Sequence, residues 1–590
     1  MIQLFFGIIL LSLPFLLLTI LKDKRRGGVY IIFYLLLFHT ALAFFTQLFG
    51  IFYYQVVFTA VVIADAAVIV VLWKFKKNIS FKLSSIDWIL FIVIIVAFLS
   101  LYQVHYNYTG KINFATDIEV SYHEVKNMEY VYPYFSDEWY AVLFIENSID
   151  SHALPLTGFG GEYFMNLEMF FHSLSAEIML ILGLDPLTQY TLFSIFANIL
   201  IIVLAYIFLR INRVPGLSAG LSSLLILYIT SGANLPGIWN FIPLHLGIIF
   251  CLIGFCFLAL EKFSLAALTS LFVAIFYAPL IIFYGAGVLV FFILKFKEKI
   301  KEHRVLIIYA VTLSFLILPA AYLILMVSPL AGVVSFVFSK ILYTSFYGPN
   351  LNVDLAFYNV IPLSAIFLAL WGLRAVYENL KWFFSVLILG AVFWFFYSFT
   401  TTRFLIEYER AVFFISIILC IISGFGLKRI ELSAGKLKNA FKYLEVGFIV
   451  LFLLLVPFYT QSESWKKFIV RDIGGSATEF FPKAPANNYL APDDLRVFEG
   501  IKNKRFLSIP WKGTVIGVAT KNYPLVTKEG TISMGKESDV FRFLASDCDG
   551  KTSMAKEKKI DYVYLYELNC TGFEKIEKSS EGFSLYNFKK

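Results

Sequence analysis

Charge is scarce in this sequence. Of 590 residues 15% are charged and 59% hydrophobic, where a soluble globular chain carries about a quarter charged residues. That deficit, with a mean hydropathy of +0.77, excludes an ordinary soluble protein. Cysteine is scarce too, and its placement matters more than its number. Cys251, Cys256 and Cys420 lie in apolar runs, and Cys548 and Cys570 in a polar C-terminal stretch, so they form no spaced metal set. No Cys/His zinc spacing, P-loop or nucleophile elbow occurs. Internal repeats and low-complexity segments are missing as well. The apolar N-terminus lacks a basic leader; its basic cluster, Lys22 to Arg26, follows the apolar run. That order predicts a retained span rather than a cleaved signal peptide. A net charge of +8 invites a nucleic-acid reading, but the basic residues sit between apolar segments, where membrane topology accounts for them. No nucleic-acid partner is expected.

What the chain does have is long apolar runs. A helix needs about 20 apolar residues to cross a hydrocarbon core of roughly 30 Å. By that measure fourteen spans are expected, at 2–21, 29–49, 52–73, 87–104, 188–209, 216–234, 243–260, 264–279, 281–295, 305–327, 359–374, 382–400, 410–427 and 445–460. The break Tyr277-Ala278-Pro279 predicts a tight re-entry between the eighth and ninth, which only buried backbone tolerates at membrane depth. With the N-terminus outside, the inner loops from Lys22 to Lys442 hold 23 basic residues. The outer ones hold 5, namely Lys111, Lys126, Lys340, Arg403 and Arg410. Positive residues mark cytoplasmic loops, so residues 105–187, 328–358 and everything after about 461 are expected outside. The apolar segment 163–184 is punctuated by Glu168 and Glu177, and counting it as a span would invert every later loop. It is expected to lie at the outer interface.

The tail, 461–590, changes character. Strand-like runs occur at Arg505–Trp511, Thr514–Thr520, Asp561–Tyr566 and Phe583–Phe588, and Pro492-Asp493-Asp494 opens a helix expected to reach Asn503. The chain is therefore expected to be an α-helical polytopic membrane protein of about 14 transmembrane helices, carrying a small C-terminal α/β soluble domain. It is placed in the plasma membrane with the N-terminus, the 105–187 loop and the C-terminal domain outside. Cys548 and Cys570 then share an oxidising compartment and are expected to form a disulfide. The sequons at Asn107 and Asn569 face the same side.

Two stretches carry candidate chemistry. Loop 105–187 holds twelve acids against two lysines, with His105, His123, His152 and His172. Acids on an outer loop are mostly solvated, but Ser136-Asp137-Glu138-Trp139-Tyr140 sets an acidic pair among aromatics beside the membrane. A carboxylate there is suited to take a proton from an acceptor hydroxyl or amine, with Asp117 and Glu146 next in line. The second stretch is Thr401–Arg410, at the mouth of the span 410–427. Read plainly it is a charged helix boundary with a Glu407–Arg410 pair of little energetic weight. Read functionally, the Arg403 and Arg410 guanidiniums present planar forks of donors to a lipid phosphate.

The Asp137-Glu138 pair is followed by a juxtamembrane apolar helix ending Leu182-Gly183-Leu184-Asp185-Pro186 and a span closing on Leu209-Arg210. Arg403 and Arg410 precede an apolar span ending Ser423-Gly424-Phe425-Gly426-Leu427, and a soluble tail follows. This order resembles the GT-C superfamily of membrane glycosyltransferases. Protein O-mannosyltransferases and lipid A aminoarabinose transferases carry a similar Asp-Glu early in their first outer loop. The resemblance covers roughly 87–590. It implies a GT-C-like catalytic core at 87–460, an exoplasmic domain at 461–590, and extra transmembrane helices at 1–86. It further implies Asp137 as general base, with Glu138 assisting it or binding a divalent cation. Arg403 or Arg410 would hold the phosphate of a polyprenyl-phosphate sugar donor entering from membrane lipid, and the acceptor would be a glycan, lipid or protein. Glu407, His152 and Asp354, the last near Tyr347 and Asn350, join the candidate substrate contacts. No Trp-Trp-Asp occurs, which argues against an oligosaccharyltransferase catalytic subunit. His39 and Asp65, inside expected spans, are read as helix-pairing contacts. Two rivals stand beside the enzyme: a transporter or flippase of lipid-linked glycan, which predicts mid-membrane charges and paired broken helices, and a GT-C-like protein without catalysis.

Overall fold

The structure, a computed structural model, describes residues 7, 24–74, 87–115, 120–133, 136–156, 158–159, 166, 168–229, 237–238, 240–295, 360–400, 406–456, 489–527 and 537–589. The expected spans 2–21 and 305–327 and the 328–358 loop lie almost wholly or wholly outside these residues. Helices dominate: α1 (Lys24–Leu48), α2 (Tyr54–Lys74), α3 (Trp88–Tyr106), α4 (Ser136–Ser151), α5 (Met169–Leu182), α6 (Pro186–Ile211), α7 (Gly216–Leu224), α8 (Pro243–Ala259), α9 (Phe263–Tyr277), α10 (281–295), α11 (Leu363–Asn379), α12 (Lys381–Thr400), α13 (Tyr408–Ser433) and α14 (Lys438–Leu455). A hairpin of β1 (Tyr108–Ala115) and β2 (Val120–Met128) separates α3 from α4. Six stretches have the length and hydropathy of a membrane span: Gly28–Leu48, Trp88–Tyr106, Pro186–Ile211, Phe263–Lys295, Lys381–Phe399 and Tyr408–Ser433. Four further apolar stretches, Tyr54–Val70, Met169–Leu182, Gly216–Tyr228 and Pro243–Ala259, fall below that length, so the described residues do not present fourteen full spans.

The stretch 263–295 is not one rod. Its helix breaks at Tyr277, where φ is −153° and ψ 84°, and a 3-10 turn follows over Ala278–Leu280. Phe263 stacks on Phe291 with ring centroids 6.3 Å apart, a pair that a straight helix would hold about 42 Å apart. Tyr284 Oη donates to the Ala266 carbonyl at 2.7 Å, and Lys295 Nζ lies 3.1 Å from Glu261 Oε1. The chain reverses at Tyr277–Leu280, and α10 returns along α9, as the Tyr-Ala-Pro break predicts. Pro279 has no N–H to continue a helix.

Three basic side chains gather at one end of the bundle. Phe208 of α6 and Phe255 of α8 both pack on Trp382 and Phe383, which places the C-terminal ends of α6 and α8 side by side. There Arg210 faces Asp87 at 3.9 Å, Lys295 faces Glu261, and Lys428 Nζ donates to the Asn212 carbonyl at 3.3 Å. The starts of α4, α8 and α13 and the end of α9 gather at the opposite end, where the candidate site lies. Gly426 lets α13 touch α11: a Cβ there would stand 2.0 Å from the Leu368 carbonyl oxygen.

Helix α5 lies in the segment expected at the outer interface. Its 14 residues reach about 21 Å, short of a span. Most of it is buried, with Glu177 bonded to His39 of α1 at 2.8 Å. That bond supplies the helix pairing expected of His39.

The tail carries a five-stranded mixed sheet of order β4-β3-β5-β7-β6, from β3 (Arg505–Ser508), β4 (Tyr523–Pro524), β5 (Tyr562–Leu565), β6 (Phe573–Lys578) and β7 (Ser584–Phe588). β3 pairs in parallel with β4 and β5, and β7 antiparallel with β5 and β6. Helices α15 (Pro492–Val497), α16 (Pro510–Thr520), α17 (Glu537–Ala545) and α18 (Cys548–Glu557) complete it. Thr514–Thr520, expected as a strand, belongs to α16. A short apolar run is ambiguous by pattern; Pro510 at the first turn starts a helix. Gly513 and Gly517 lie against Val526 and Pro524, so the crossover packs closely beside the strand it feeds. α15 stops at Val497, short of Asn503. The Cys548–Cys570 disulfide is formed, with Cα atoms 5.4 Å apart.

Candidate active site

Helix α4 begins at Ser136, so Asp137 and Glu138 occupy its first turn, where carboxylates favour the positive end of the helix dipole. Consecutive helical residues point about 100° apart, and here the two part company. Asp137 turns outward with 28% of its side chain exposed, and its Oδ2 lies 3.3 Å from Arg410 Nη2. Glu138 turns inward and is fully buried; its Oε1 accepts from the Phe241 N–H at 3.0 Å and from Ser194 Oγ at 3.5 Å.

Arg410 is the hub. It sits in the first turn of α13, 22% exposed. Its Nε lies 2.8 Å from Glu407 Oε2, its Nη1 donates to Tyr277 Oη at 3.1 Å, and the guanidinium stands 5.6 Å from the Tyr277 ring centroid. Three distant parts of the chain thus meet at one guanidinium: the outer-loop helix, the tip of the α9–α10 hairpin, and the start of α13. Partly exposed pairs of this kind stabilise little by themselves. They do hold a carboxylate and a guanidinium fork in fixed register, facing solvent.

The segment before α8 forms the floor. Tyr190 Oη donates to the Phe241 carbonyl at 2.5 Å, Asn198 Nδ2 to the Asn240 carbonyl at 2.7 Å, and His245 Nε2 lies 3.0 Å from the Gly237 carbonyl. Together with Glu138 these bonds satisfy buried backbone groups of residues 237–242, which would otherwise carry a desolvation penalty.

The other sequence candidates part from this cluster. His152 stands at the far end of α4, about 22 Å along the helix from Asp137. It has φ of 56°, its Nδ1 is 3.1 Å from the Phe52 carbonyl, and its ring lies 4.0 Å from that of Tyr53. It ties the α1–α2 turn and is no contact of this site. Arg403, Asp354 and Asp117 lie outside the described residues. Arg410 already stands between the Asp137 and Glu407 carboxylates, Glu138 is bonded into the core, and among the described residues no three His, Cys, Asp or Glu side chains converge as a metal set.

Two residues escaped the sequence reading. Tyr277 was seen only as a break in an apolar run, although a polar-tipped aromatic at a re-entrant tip is itself a signal. Glu168, exposed at the N-cap of α5, lies close enough to bear electrostatically on Tyr190 and Tyr277, as Asp137 does on Tyr190. Farther along α4, burial pushes the Glu146 carboxyl up to about 7, with Lys521 of the tail opposing and Asp185 and Asp150 adding to the shift.

No family model and no curated protein matches the sequence. Among solved structures, the chain is similar to the archaeal oligosaccharyltransferase AglB from Archaeoglobus fulgidus in complex with an inhibitory peptide and a dolichol-phosphate. The identity is 13% with a TM-score of 0.45, over 81% of this chain and 69% of that chain. The apo form of the Archaeoglobus fulgidus oligosaccharyltransferase aligns at 12% identity and TM-score 0.45, over 82% and 70%. ArnT from Cupriavidus metallidurans in the apo state aligns at 13% identity and TM-score 0.49, over 85% of this chain and 97% of that chain.

Proposed function

We propose that the chain is a membrane glycosyltransferase that moves a sugar from a polyprenyl-phosphate-linked donor to an acceptor on the exoplasmic face. The observation that carries this reading is the pairing of Asp137 with Arg410, two residues 273 positions apart. The sequence resemblance had placed them, for separate reasons, in one active site. The orientation rests on charge: the site lies at the end of the bundle opposite Arg210, Lys295 and Lys428, and positive loops face the cytoplasm.

Each group then has a task. The donor phosphate enters beside Arg410 and, by the resemblance, Arg403, and competes with Asp137 and Glu407 for the guanidinium fork. Asp137 accepts the acceptor's O–H or N–H proton while the acceptor atom bonds to the anomeric carbon. The bond from that carbon to the phosphate oxygen breaks, and the lipid phosphate leaves with the electron pair beside the guanidinium. Tyr277 holds Arg410 in register, and Glu138 holds the floor. The donor class follows from location, because a lipid carrier can be flipped across the bilayer whereas nucleotide sugars stay in the cytosol.

The test is transfer by purified protein supplied with lipid-linked sugars. Asp137→Asn keeps size and hydrogen bonding but removes the base. A loss of about a hundred- to ten-thousand-fold in rate is expected, with donor binding retained. Near-wild-type turnover in that variant would remove Asp137 as base. The transporter reading draws on the buried His39–Glu177 pair, an intramembrane polar contact of the kind it predicts. Flipping of labelled lipid-linked sugar without any transfer product would favour it.

A further inference from the structure

The seam between α1, α2 and α5 lies outside the site above and holds polar groups that the proposed reaction does not use. His39 Nδ1 stands 2.8 Å from Glu177 Oε1, and both side chains are buried. Asp65 of α2 is 5% exposed and bears on His39 electrostatically. One turn before Glu177, Ser173 gives its carbonyl to Gln47 Nε2 at 3.2 Å. Four buried oxygens along this seam have no hydrogen-bond partner: Glu177 Oε2, Ser173 Oγ, Gln47 Oε1 and Asp65 Oδ2. A buried polar atom left without a hydrogen-bond partner carries a desolvation cost. Four along one seam call for an occupant.

Charge identifies its kind. Two carboxylates, Asp65 and Glu177, face one imidazole, His39. Even a charged imidazole leaves one carboxylate charge uncompensated. The free ligands are carboxylate, amide and hydroxyl oxygens, which suit hard cations rather than transition metals. One negative charge calls for one positive charge.

We propose that the α1–α2–α5 seam binds a single alkali cation through Glu177 Oε2, Ser173 Oγ and Gln47 Oε1, with Asp65 and His39 setting the charge. The cation joins the helices preceding residue 87 to α5, and through α5 to the polypeptide that reaches Asp137. Its binding is independent of whether the chain transfers sugar.

The experiment is thermal unfolding of the full-length protein in lipid nanodiscs, at constant pH and ionic strength, with NaCl or KCl replacing choline chloride. The expected result is an unfolding midpoint that rises with alkali cation and saturates, since a ligand of the folded state alone stabilises it by mass action. Glu177→Gln should abolish the rise. Should that variant fail to fold, Ser173→Ala and Gln47→Leu keep the charge and should each weaken the apparent cation affinity about tenfold, the effect of roughly 1.4 kcal/mol. A midpoint indifferent to the cation overturns the proposal. So does one that moves with pH alone, which would make a second proton the occupant. A cation response unchanged in the folded variants places the ion elsewhere and overturns it too.

Discussion

At the scale of single residues, Asp137 and Glu138 are chemically near-identical neighbours with opposite surroundings. Asp137 faces Arg410 and solvent, while Glu138 is sealed under Phe241 and Ser194. Their substitutions should therefore fail in different ways. Asp137→Asn strikes rate. Glu138→Gln keeps an acceptor for the Phe241 N–H and should alter rate little. Glu138→Ala strands that buried donor, a loss of roughly 1–3 kcal/mol, and should lower the unfolding midpoint before it lowers specific activity. Denaturation of both Glu138 variants beside a transfer assay checks this; a Glu138→Gln as inactive as Asp137→Asn would assign Glu138 a direct part in the chemistry. The string Asp-Glu among aromatics was readable in the sequence. Which carboxylate faced the acceptor was not, because side-chain direction depends on how α4 is rolled against α6 and α8.

Among elements, the α9–α10 hairpin decides the shape of the site. Its break was legible from Tyr277-Ala278-Pro279, since proline cannot continue a helix and the two apolar runs that flank it are short ones. What the break delivers was not legible. Tyr277 reaches Arg410 only because α9 packs along α8, with Gly247 admitting the Tyr277 side chain 2.7 Å from where a Cβ would stand. Tyr277→Phe keeps the ring beneath the guanidinium and removes the hydroxyl that Arg410 bonds. A net hydrogen bond to a charged group is worth about 1.5–3 kcal/mol, and its partly exposed setting puts the expectation at the lower end. Donor KM should rise about tenfold with kcat nearly kept, and Arg410→Ala should raise it further. Steady-state kinetics over donor concentration checks the split; a fall in kcat alone would place Tyr277 at the acceptor or the reacting bond.

For the molecule as a whole, the tail grips the outer loop. Lys521 at the end of α16 lies 2.5 Å from Asp150 at the end of α4, Tyr130 Oη accepts from the Leu490 N–H at 2.9 Å, and Tyr130 stacks on Tyr489 at 5.2 Å. The helix that presents Asp137 is thus flanked on both sides by contacts to the tail. Glu146 sits half-buried in this junction with its carboxyl raised to about 7. For an acid raised on folding, the folded state holds the proton more tightly. Stability is greatest below the unfolded value near 4.5, declines as pH climbs towards 7, and levels off above it. At 1.36 kcal/mol per unit the change is at most about 3 kcal/mol. The full chain should therefore unfold at a higher temperature at pH 5.5 than at pH 8, as far as this group is concerned. Glu146→Gln should raise the pH 8 midpoint and flatten the slope between them; an unchanged slope would show that Glu146 does not titrate in this junction.

Sequence by itself determined what depends on solvent and on local chain geometry. Apolar length called for membrane helices, Pro279 and its neighbours called for a reversal, and the polar tail called for a separate sheet domain with Cys548 and Cys570 in it. These follow from transfer free energy and from backbone sterics, which act residue by residue. Thr514–Thr520 shows the limit of such rules, because an apolar run fits a strand or a helix equally until its packing partners choose. The tertiary structure alone decided the rest: Arg410 meets Asp137 and Tyr277, Glu138 turns away, His152 leaves for the α1–α2 turn, and Glu177 finds His39. Each is a contact between residues far apart in the chain. Such contacts are set by how helices roll and cross, and that depends on the packing of the whole core at once.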